Sequence, residues 1–430
     1  MKKIQYIIQT TFLLGVISLT SCKKDFVNPN APTADQVFSS ARGLVGVNIG
    51  NQRTYTLGGA SMIYSVVTTN AFATNEVILM NSGNTAEFQF SKGGASVDAT
   101  NTVLANAWTN ANKVIYDANS VINAAAAIND KGYASGLIAH ASILKALALG
   151  SMSMLWEKVP DTIGVNVTFS DRMVGYAKAI ATIDNALATI KANPISASYV
   201  SDAVAGIDYV NTLYALKARY SIFSGKNADA LAAANLVDLT KKSTFNFDAV
   251  STNPIFTTVT STNNVYQAID STLGLPAALA PAAGDGRIAF YTSINATINP
   301  RFRIKGFYDA TTTGIPVYLP SEMTLIKAEA YARTNDLTNA LAELNKVVTK
   351  TAATDPFKIG AGLAASTAST QAALLLEIYK NRCIELYMSG LKIEDMRRFA
   401  RPTSEMKRNF FPYPFKERDG NPNTPTDPSF

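Results

Sequence analysis

The sequence predicts a mainly α-helical fold in which helical hairpins stack into a superhelix, interrupted by long loop-rich insertions. Three observations carry this expectation. Between Thr102 and Ile128, Val103, Trp108, Ala111, Ile115, Ala118 and Ile122 recur at helical spacing, and from Ser135 to Trp156 apolar residues occur all round the helix, as in a buried one. Two helix pairs repeat at an offset of 110 residues: Lys217-Ala218 with Lys327-Ala328, Gly225 with Asn335, Ala230-Leu231 with Ala340-Leu341, and Val237 with Val347. A small residue, a turn residue seven positions on and an Ala five beyond that let two antiparallel helices approach closely, which makes the hairpins tetratricopeptide-like. Finally, 43–100 and 243–320 are rich in Gly, Asn, Thr and Ser and lack a sustained 3.6 period. Both read as long loops with short strands, and loops of that length in a compact chain are usually functional or disordered.

Taken in order, the chain opens on a lipoprotein signal. Lys2 and Lys3 precede an apolar run from Ile7 to Leu19 that ends in Leu19-Thr20-Ser21-Cys22. The run is too short for a bilayer span of roughly 20 residues, and the small Thr20 and Ser21 suit a signal peptidase. Residues 1–21 are therefore expected to be removed and Cys22 to carry the lipid; more than one chain, at about 0.8 kcal/mol per buried methylene, anchors stably. Residues 22–40, with Pro29 and Pro32, read as an extended tether. Residues 41–430 form a single α domain, with helices expected at 102–128, 135–156, 172–191, 208–224, 227–242, 321–334, 337–350 and 370–389. No membrane-spanning segment is expected after the leader, and 135–192 offers a third, degenerate hairpin.

Charge and composition narrow the function. The formal net charge of +6 falls to +4 without Lys2 and Lys3, too weak a field for binding a phosphate backbone, so nucleic acid is not an expected partner. Ten Lys or Arg against six Asp or Glu lie between Glu377 and Arg418, which puts the mature surplus there, on what reads as a solvated helix face. With Cys22 lipidated, Cys383 has no partner for a disulfide within the chain, and its helical setting beside Ile384, Leu386 and Tyr387 suits a buried hydrophobe. The one histidine, His140, sits on the Ala-rich helix without a second His or free Cys to build a metal site or a triad. With no Gly-x-Ser-x-Gly, phosphate loop or HExxH-like pair, the chain reads as a binder rather than an enzyme, with no cofactor and no metal.

The C-terminal residues are the most specific. Arg382-x-x-Glu385-Leu386 with Gly390, then Asp395-Met396-Arg397-Arg398, Pro412-Tyr413-Pro414-x-x-Glu417 and Asn421-Pro422-Asn423 together resemble the closing block of the SusD/RagB outer-membrane nutrient-binding lipoproteins. Leu155-Trp156-Glu157-Lys158-Val159-Pro160 is similar to that family's first long repeat helix and its exit, Pro320-Ser321 into Ala328-Glu329-Ala330 to its last repeat, and Asp285-Gly286-Arg287 to an Asp-Pro-Arg element. The chain departs from the pattern at Asn381, where the family often has Glu, in the aliphatic and sulfur-containing stretch Leu147 to Met154, and in its short length. By their own chemistry, Arg382 and Glu385 can pair weakly at three apart, Gly390 suits a left-handed cap after Ser389, and Asp395 precedes Arg397 at a turn. These residues are expected to lock the C-terminal segment rather than touch ligand.

The resemblance implies a lipid-anchored outer-membrane protein, exposed at the cell surface, that captures a nutrient, most simply an oligosaccharide, and passes it to a SusC-like TonB-dependent transporter. A peptide ligand, or a tetratricopeptide-type scaffold that binds only proteins, remains open. Sugars are held by flat aromatic faces and by amides or carboxylates on hydroxyls. Because the family's ligand face is flanked by the two loop-rich regions, the candidates are Phe72, Asn75, Glu76, Asn81, Phe88 and Phe90 in the first, and Tyr266, Asp270, Phe290, Tyr291 and Tyr308 in the second. Phe88 and Phe90, two apart, also fit one face of a strand on the core. Trp108 and Trp156 read as core.

Overall fold

The computed structural model describes residues 33–260, 263–297 and 299–430; the leader and Cys22 lie outside the described residues. The architecture is mainly helical. Long helices α5 (Thr102–Ala125), α6 (Lys131–Leu155), α7 (Arg172–Ala192), α9 (Tyr209–Phe223), α10 (Asn227–Ala234), α13 (Pro320–Arg333), α14 (Leu337–Val348) and α15 (Gln371–Glu385) form one stack, each packed on the next, with the short α8 (Ala197–Asp202) beside α6. Side chains of Asp130, Asp208, Asp336 and Thr370 cap the first turns of α6, α9, α14 and α15, satisfying backbone N–H groups that the helix leaves free.

The 110-residue repeat is a structural one. Ala218 on α9 and Ala328 on α13 are both fully buried, as are Ala230 and Ala340 on the partner helices. Gly225 and Asn335 take the left-handed backbone that each hairpin turn requires, at φ 71° and 63°. The pair α6–α7 supplies the third hairpin. Close approach is built in: a Cβ on Gly175 of α7 would lie 2.0 Å from Ser153 Oγ of α6, and one on Gly150 of α6 would lie 2.3 Å from the Tyr220 ring of α9. Helix α6 is also long and apolar enough to cross a membrane, but it is almost wholly buried, as the core helix of this fold.

The first loop-rich region departs from expectation, because it is largely helical. It holds α2 (Ala41–Thr56), α3 (Met62–Ala73) and α4 (Thr85–Lys92), and α1 (Ala34–Phe38) occupies the end of the expected tether and packs on α2. Every residue of α3 is buried, so it carries no polar face to mark a 3.6 period. On α2 the buried face is partly amide: Asn48 Nδ2 donates to Leu137 O and Asn51 Nδ2 to Val114 O, each at 3.0 Å. These bonds attach α2 to α5 and α6 through side chains that read as loop residues in sequence.

The second region holds short strands, as expected, and also two short helices, α11 (Pro254–Val259) and α12 (Gly286–Tyr291). Strand β1 (Val77–Leu79) pairs antiparallel with β5 (Tyr266–Ala268), Ile78 opposite Gln267. The other pairs are β2 (Lys158–Pro160) with β3 (Phe169–Asp171), β4 (Thr244–Phe245) with β8 (Ile315–Pro316), and β6 (Thr292–Ile294) with β7 (Phe302–Ile304). Past β1, the N–H groups of Met80 and Asn81 both donate to Val265 O, at 2.8 and 3.2 Å. The two loop-rich regions, nearly 190 residues apart in sequence, are thereby joined.

The C-terminal segment, with α16 (Lys392–Arg398) and α17 (Phe415–Gly420), clasps the stack. Trp156 Nε1 donates to Pro412 O at 3.0 Å and Trp108 Nε1 to Glu417 Oε2 at 2.9 Å, and the two indoles meet edge to face at 4.8 Å. Arg382 and Glu385 do not pair with each other. Arg382 forks onto Asp395 at 2.9 and 3.0 Å, whereas Glu385 accepts from Arg287 and Lys350. Asp395 and Arg397 lie inside α16 rather than at a turn, and Gly390 is left-handed, at φ 79°, but five residues past the end of α15. The expected solvated basic face is instead a buried ionic clasp: Arg398 bonds Glu329 and Asp395, and Arg172 and Arg397 share Glu394. Burial alone would raise the Glu329 carboxyl, but Arg398, Arg382 and Arg333 outweigh it and hold the pKa down to about 2.

Candidate functional site

Where the two loop-rich regions join, an open polar groove of about 470 Å³ runs over the surface. Its first wall comes from α4 and the turn before it. The fold of Asn81-Ser82-Gly83-Asn84 is set by two bonds, Gly83 N–H to Asn81 Oδ1 at 3.0 Å and Asn84 Nδ2 to Asn81 O at 3.3 Å. One helical turn on, Glu87 Oε1 accepts from the Tyr64 hydroxyl at 2.5 Å, which fixes the carboxylate at the groove edge; burial and then nearby Tyr266 and Glu87 raise the Tyr64 pKa. The second wall is the start of α5, with Thr102 and the half-buried amide of Asn106. The third is the α11 end, where Thr257 and Thr258 donate to Pro254 O and Asn263 Nδ2 donates to Thr257 O.

Of the residues expected to contact ligand, the structure brings Asn81 to this groove and leaves Phe88 38% exposed on α4 beside it. Phe88 and Phe90 lie on a helix, not a strand, so residues two apart point to different sides and Phe90 is core. Lys92 Nζ sits 5.2 Å from the Phe88 ring centroid, one helical turn on.

Most other expected contacts are pins, not platforms. Tyr291 is 1% exposed and donates to Glu385 O; Tyr308 is 3% exposed and donates to Met388 O at 2.7 Å. Burial raises the pKa of both hydroxyls, consistent with protonated donors. Phe72 and Tyr266 are core rings 5.5 Å apart, and Tyr266 bonds Thr68 at 3.0 Å. Glu76 is buried; its Oε1 accepts from Met388 N–H at 3.2 Å and its carbonyl from the Tyr387 hydroxyl at 3.1 Å. Desolvation pushes its carboxyl pKa up despite Lys392 nearby. Half-buried Asn75 donates to Glu405 O, Asp270 accepts from Thr272, and Phe290 packs edge-on against Tyr291 and Phe307. Tyr291 and Tyr308, expected as stacking platforms, are instead buried and tie the loops to the C-terminal segment.

Sequence reading missed Tyr64, Asn84, Glu87, Asn106, Thr257, Thr258 and Asn263. The signal was there in part: Asn and Thr dominate the same segments as the aromatic candidates. His140 and Cys383 are structural: the His140 nitrogens bond Gln52 Oε1 at 2.8 Å and the Tyr199 hydroxyl at 3.2 Å, and burial lowers its pKa to about 4. Burial likewise raises the Cys383 thiol to about 12, which removes the thiolate a nucleophile needs. Among the described residues no group of three or more His, Cys, Asp or Glu is placed to hold a metal ion.

A helical-hairpin stack, a C-terminal clasp and a loop-built polar groove define the class: a SusD-type helical fold. Residues 303–427 match the model of the SusD family. The fold aligns with a SusD superfamily protein from Bacteroides thetaiotaomicron at TM-score 0.70 and 15% identity, over 90% of this chain and 100% of that one. A SusD superfamily protein from Bacteroides fragilis aligns at TM-score 0.67 and 17% identity, over 90% and 99%. A laminarin binding SusD-like protein aligns at 0.68 and 15%, over 91% and 99%. No curated protein matches the sequence. At these identities the structures speak for the fold alone, and the family model matches the C-terminal block, residues 303–427.

Proposed function

We propose that the protein is a lipid-anchored, cell-surface member of the SusD family that captures an oligosaccharide in the groove between α4, α5 and α11 and delivers it to a SusC-like TonB-dependent transporter. One observation carries the binding part: the two loop-rich regions converge on an open groove lined by amides, hydroxyls and one carboxylate, the groups that bond sugar hydroxyls. The laminarin-binding relative supports a glycan as the ligand class. The anchor rests on the Leu19-Thr20-Ser21-Cys22 signal, and the transporter on the match to the SusD family model. A peptide ligand has one point in its favour, since amides rather than open rings line the groove.

Glycan and peptide arrays probed with protein lacking residues 1–22 test the reading. Oligosaccharide binding that Asn84→Ala and Asn106→Ala each weaken by about tenfold, roughly 1.4 kcal/mol, at unchanged melting temperature, is the expected result. Binding to peptides alone would replace the glycan by a peptide. In cells, Cys22→Ser should abolish palmitate labelling and release the protein from the membrane fraction; full membrane retention would remove the anchor from the proposal.

A further inference from the structure

The groove is rich in hydrogen-bonding groups but one-sided in charge. Asn81 Oδ1 is occupied by the Gly83 N–H and Asn84 Nδ2 by the Asn81 carbonyl, while Asn263 Nδ2 is held by Thr257 O and Glu87 Oε1 by the Tyr64 hydroxyl. Among the described residues, these bonds leave Asn84 Oδ1, Asn263 Oδ1 and Glu87 Oε2 as acceptors and Asn81 Nδ2 as a donor, alongside the Asn106 amide and the Thr102 hydroxyl, which can do both. Among the described residues, the lining contains neither Lys nor Arg, and Glu87 is its only charged group. The cation of α4, Lys92, is directed over the Phe88 ring and is not part of the lining.

A sugar hydroxyl can donate as well as accept, and so can satisfy such a surface; a carboxylate or sulfate only accepts and brings a second negative charge. With no arginine to meet it bidentately, an acidic group would set a second negative charge beside Glu87 with no cation in the lining to offset it. We infer that the groove selects uncharged, hydroxyl-rich oligosaccharides and excludes uronic-acid and sulfated ones, with Glu87 as the excluding group. This rests on the glycan reading above and assigns that site a substrate class.

Matched pairs give the test. Each neutral oligosaccharide that binds is compared with its C6-oxidised form, in which a hydroxymethyl group becomes a carboxylate, by isothermal titration at low and at physiological salt. The oxidised form should bind at least tenfold more weakly, and salt should narrow the gap by screening. Glu87→Gln, which keeps the acceptor for Tyr64, should narrow the ratio between neutral and oxidised affinities several-fold, with both ligands measured on the same variant. Asn263→Lys, at an exposed position that does not depend on the Glu87 contact, should raise the oxidised ligand's affinity by at least tenfold. If oxidised and neutral forms bind the wild type equally, or the oxidised form binds better, the exclusion is wrong while glycan capture stands. If neither form of any oligosaccharide binds, the glycan reading itself fails and the inference goes with it.

Discussion

The helical stack and the loop-rich regions use similar residues to opposite ends. In the stack, Ala218 and Ala328 vanish into close helix contacts and hydroxyls mostly return to their own helix, as Ser151 and Ser153 do to the carbonyls four residues back. In the loops, Asn and Thr leave polar atoms facing a groove, and the large rings become pins. What separates them is the backbone. A helix satisfies its own N–H and C=O groups, whereas a loop has to find partners, and here the partners are the C-terminal residues: Tyr291, Tyr308 and Tyr387 all bond backbone carbonyls across that junction.

The largest effect is expected where the two regions are bolted together. Arg287, 1% exposed on α12, forks onto Asp285 at 2.9 and 2.7 Å and reaches Glu385 and Asn381 on α15. Arg287→Ala leaves Asp285 buried without its partner and Glu385 with Lys350 alone, and should cost about 3–5 kcal/mol, read from denaturant midpoints. A loss under about 1 kcal/mol would mean that loops and stack are energetically separate.

Within the loop-rich region, Phe90 and Phe88 divide the two uses of a ring. Phe90 lies against Phe72 and Phe411, at centroid distances of 6.4 and 6.0 Å. Phe90→Ala should cost about 3–5 kcal/mol as a core truncation, and Phe88→Ala no more than about 0.5 kcal/mol as a surface change. Equal losses would place Phe88 in the core and withdraw it from the groove's surroundings.

The stack and the loops carry pH signatures of opposite sign. His140 stays neutral in the fold down to a pKa of about 4, against an ordinary value of about 6.5 in the unfolded chain. Below pH 6.5 the unfolded chain takes up a proton that the fold refuses, so stability falls as pH drops from about 6.5 to about 4, by at most about 3 kcal/mol. Buried Glu76, with its raised pKa, works in the opposite sense, losing stability as pH rises above the ordinary carboxylate value. The check is therefore a difference: the midpoints of wild type and His140→Gln should diverge across this window and run parallel above pH 7. Parallel curves throughout would remove His140 from the pH dependence.

The stack was legible because its physics is periodic. Hairpin turns at Gly225 and Asn335, buried Ala at matched positions and the extents of α5, α7, α9, α13 and α14 all followed from spacing, to within a few residues. Helix α10 ends at Ala234 and α15 at Glu385, short of the expected 242 and 389, where turns replace the last helical residues. Helices α2 and α3 were not legible for opposite reasons: one buries amides on its core face and the other is buried on all sides, so neither shows apolar against polar. At the site, the convergence of the two regions was legible from the family resemblance, and Asn81 lines the groove where they meet. The burial of Tyr291 and Tyr308 was not, because a tyrosine that pins a carbonyl and one that stacks on sugar are the same letter in a sequence.

The smallest effect concerns the repeat itself and separates geometry from composition. Ala218 and Ala328 occupy equivalent positions of α9 and α13 and have no exposed surface. Leucine at either adds three carbons where the facing helix already fills the space, so Ala218→Leu and Ala328→Leu should each cost about 1–3 kcal/mol through overpacking. The control is Ala232 on α10, an exposed alanine of the same hairpin. Ala232→Leu keeps helix propensity nearly unchanged and touches little, so it should stay within about 0.5 kcal/mol of wild type. Chemical denaturation midpoints of the three variants decide it. Matched losses at 218 and 328 with none at 232 show that the two hairpins share one packing solution. If only one site responds, the 110-residue match records similar composition, and the two hairpins reach their close approach by different contacts.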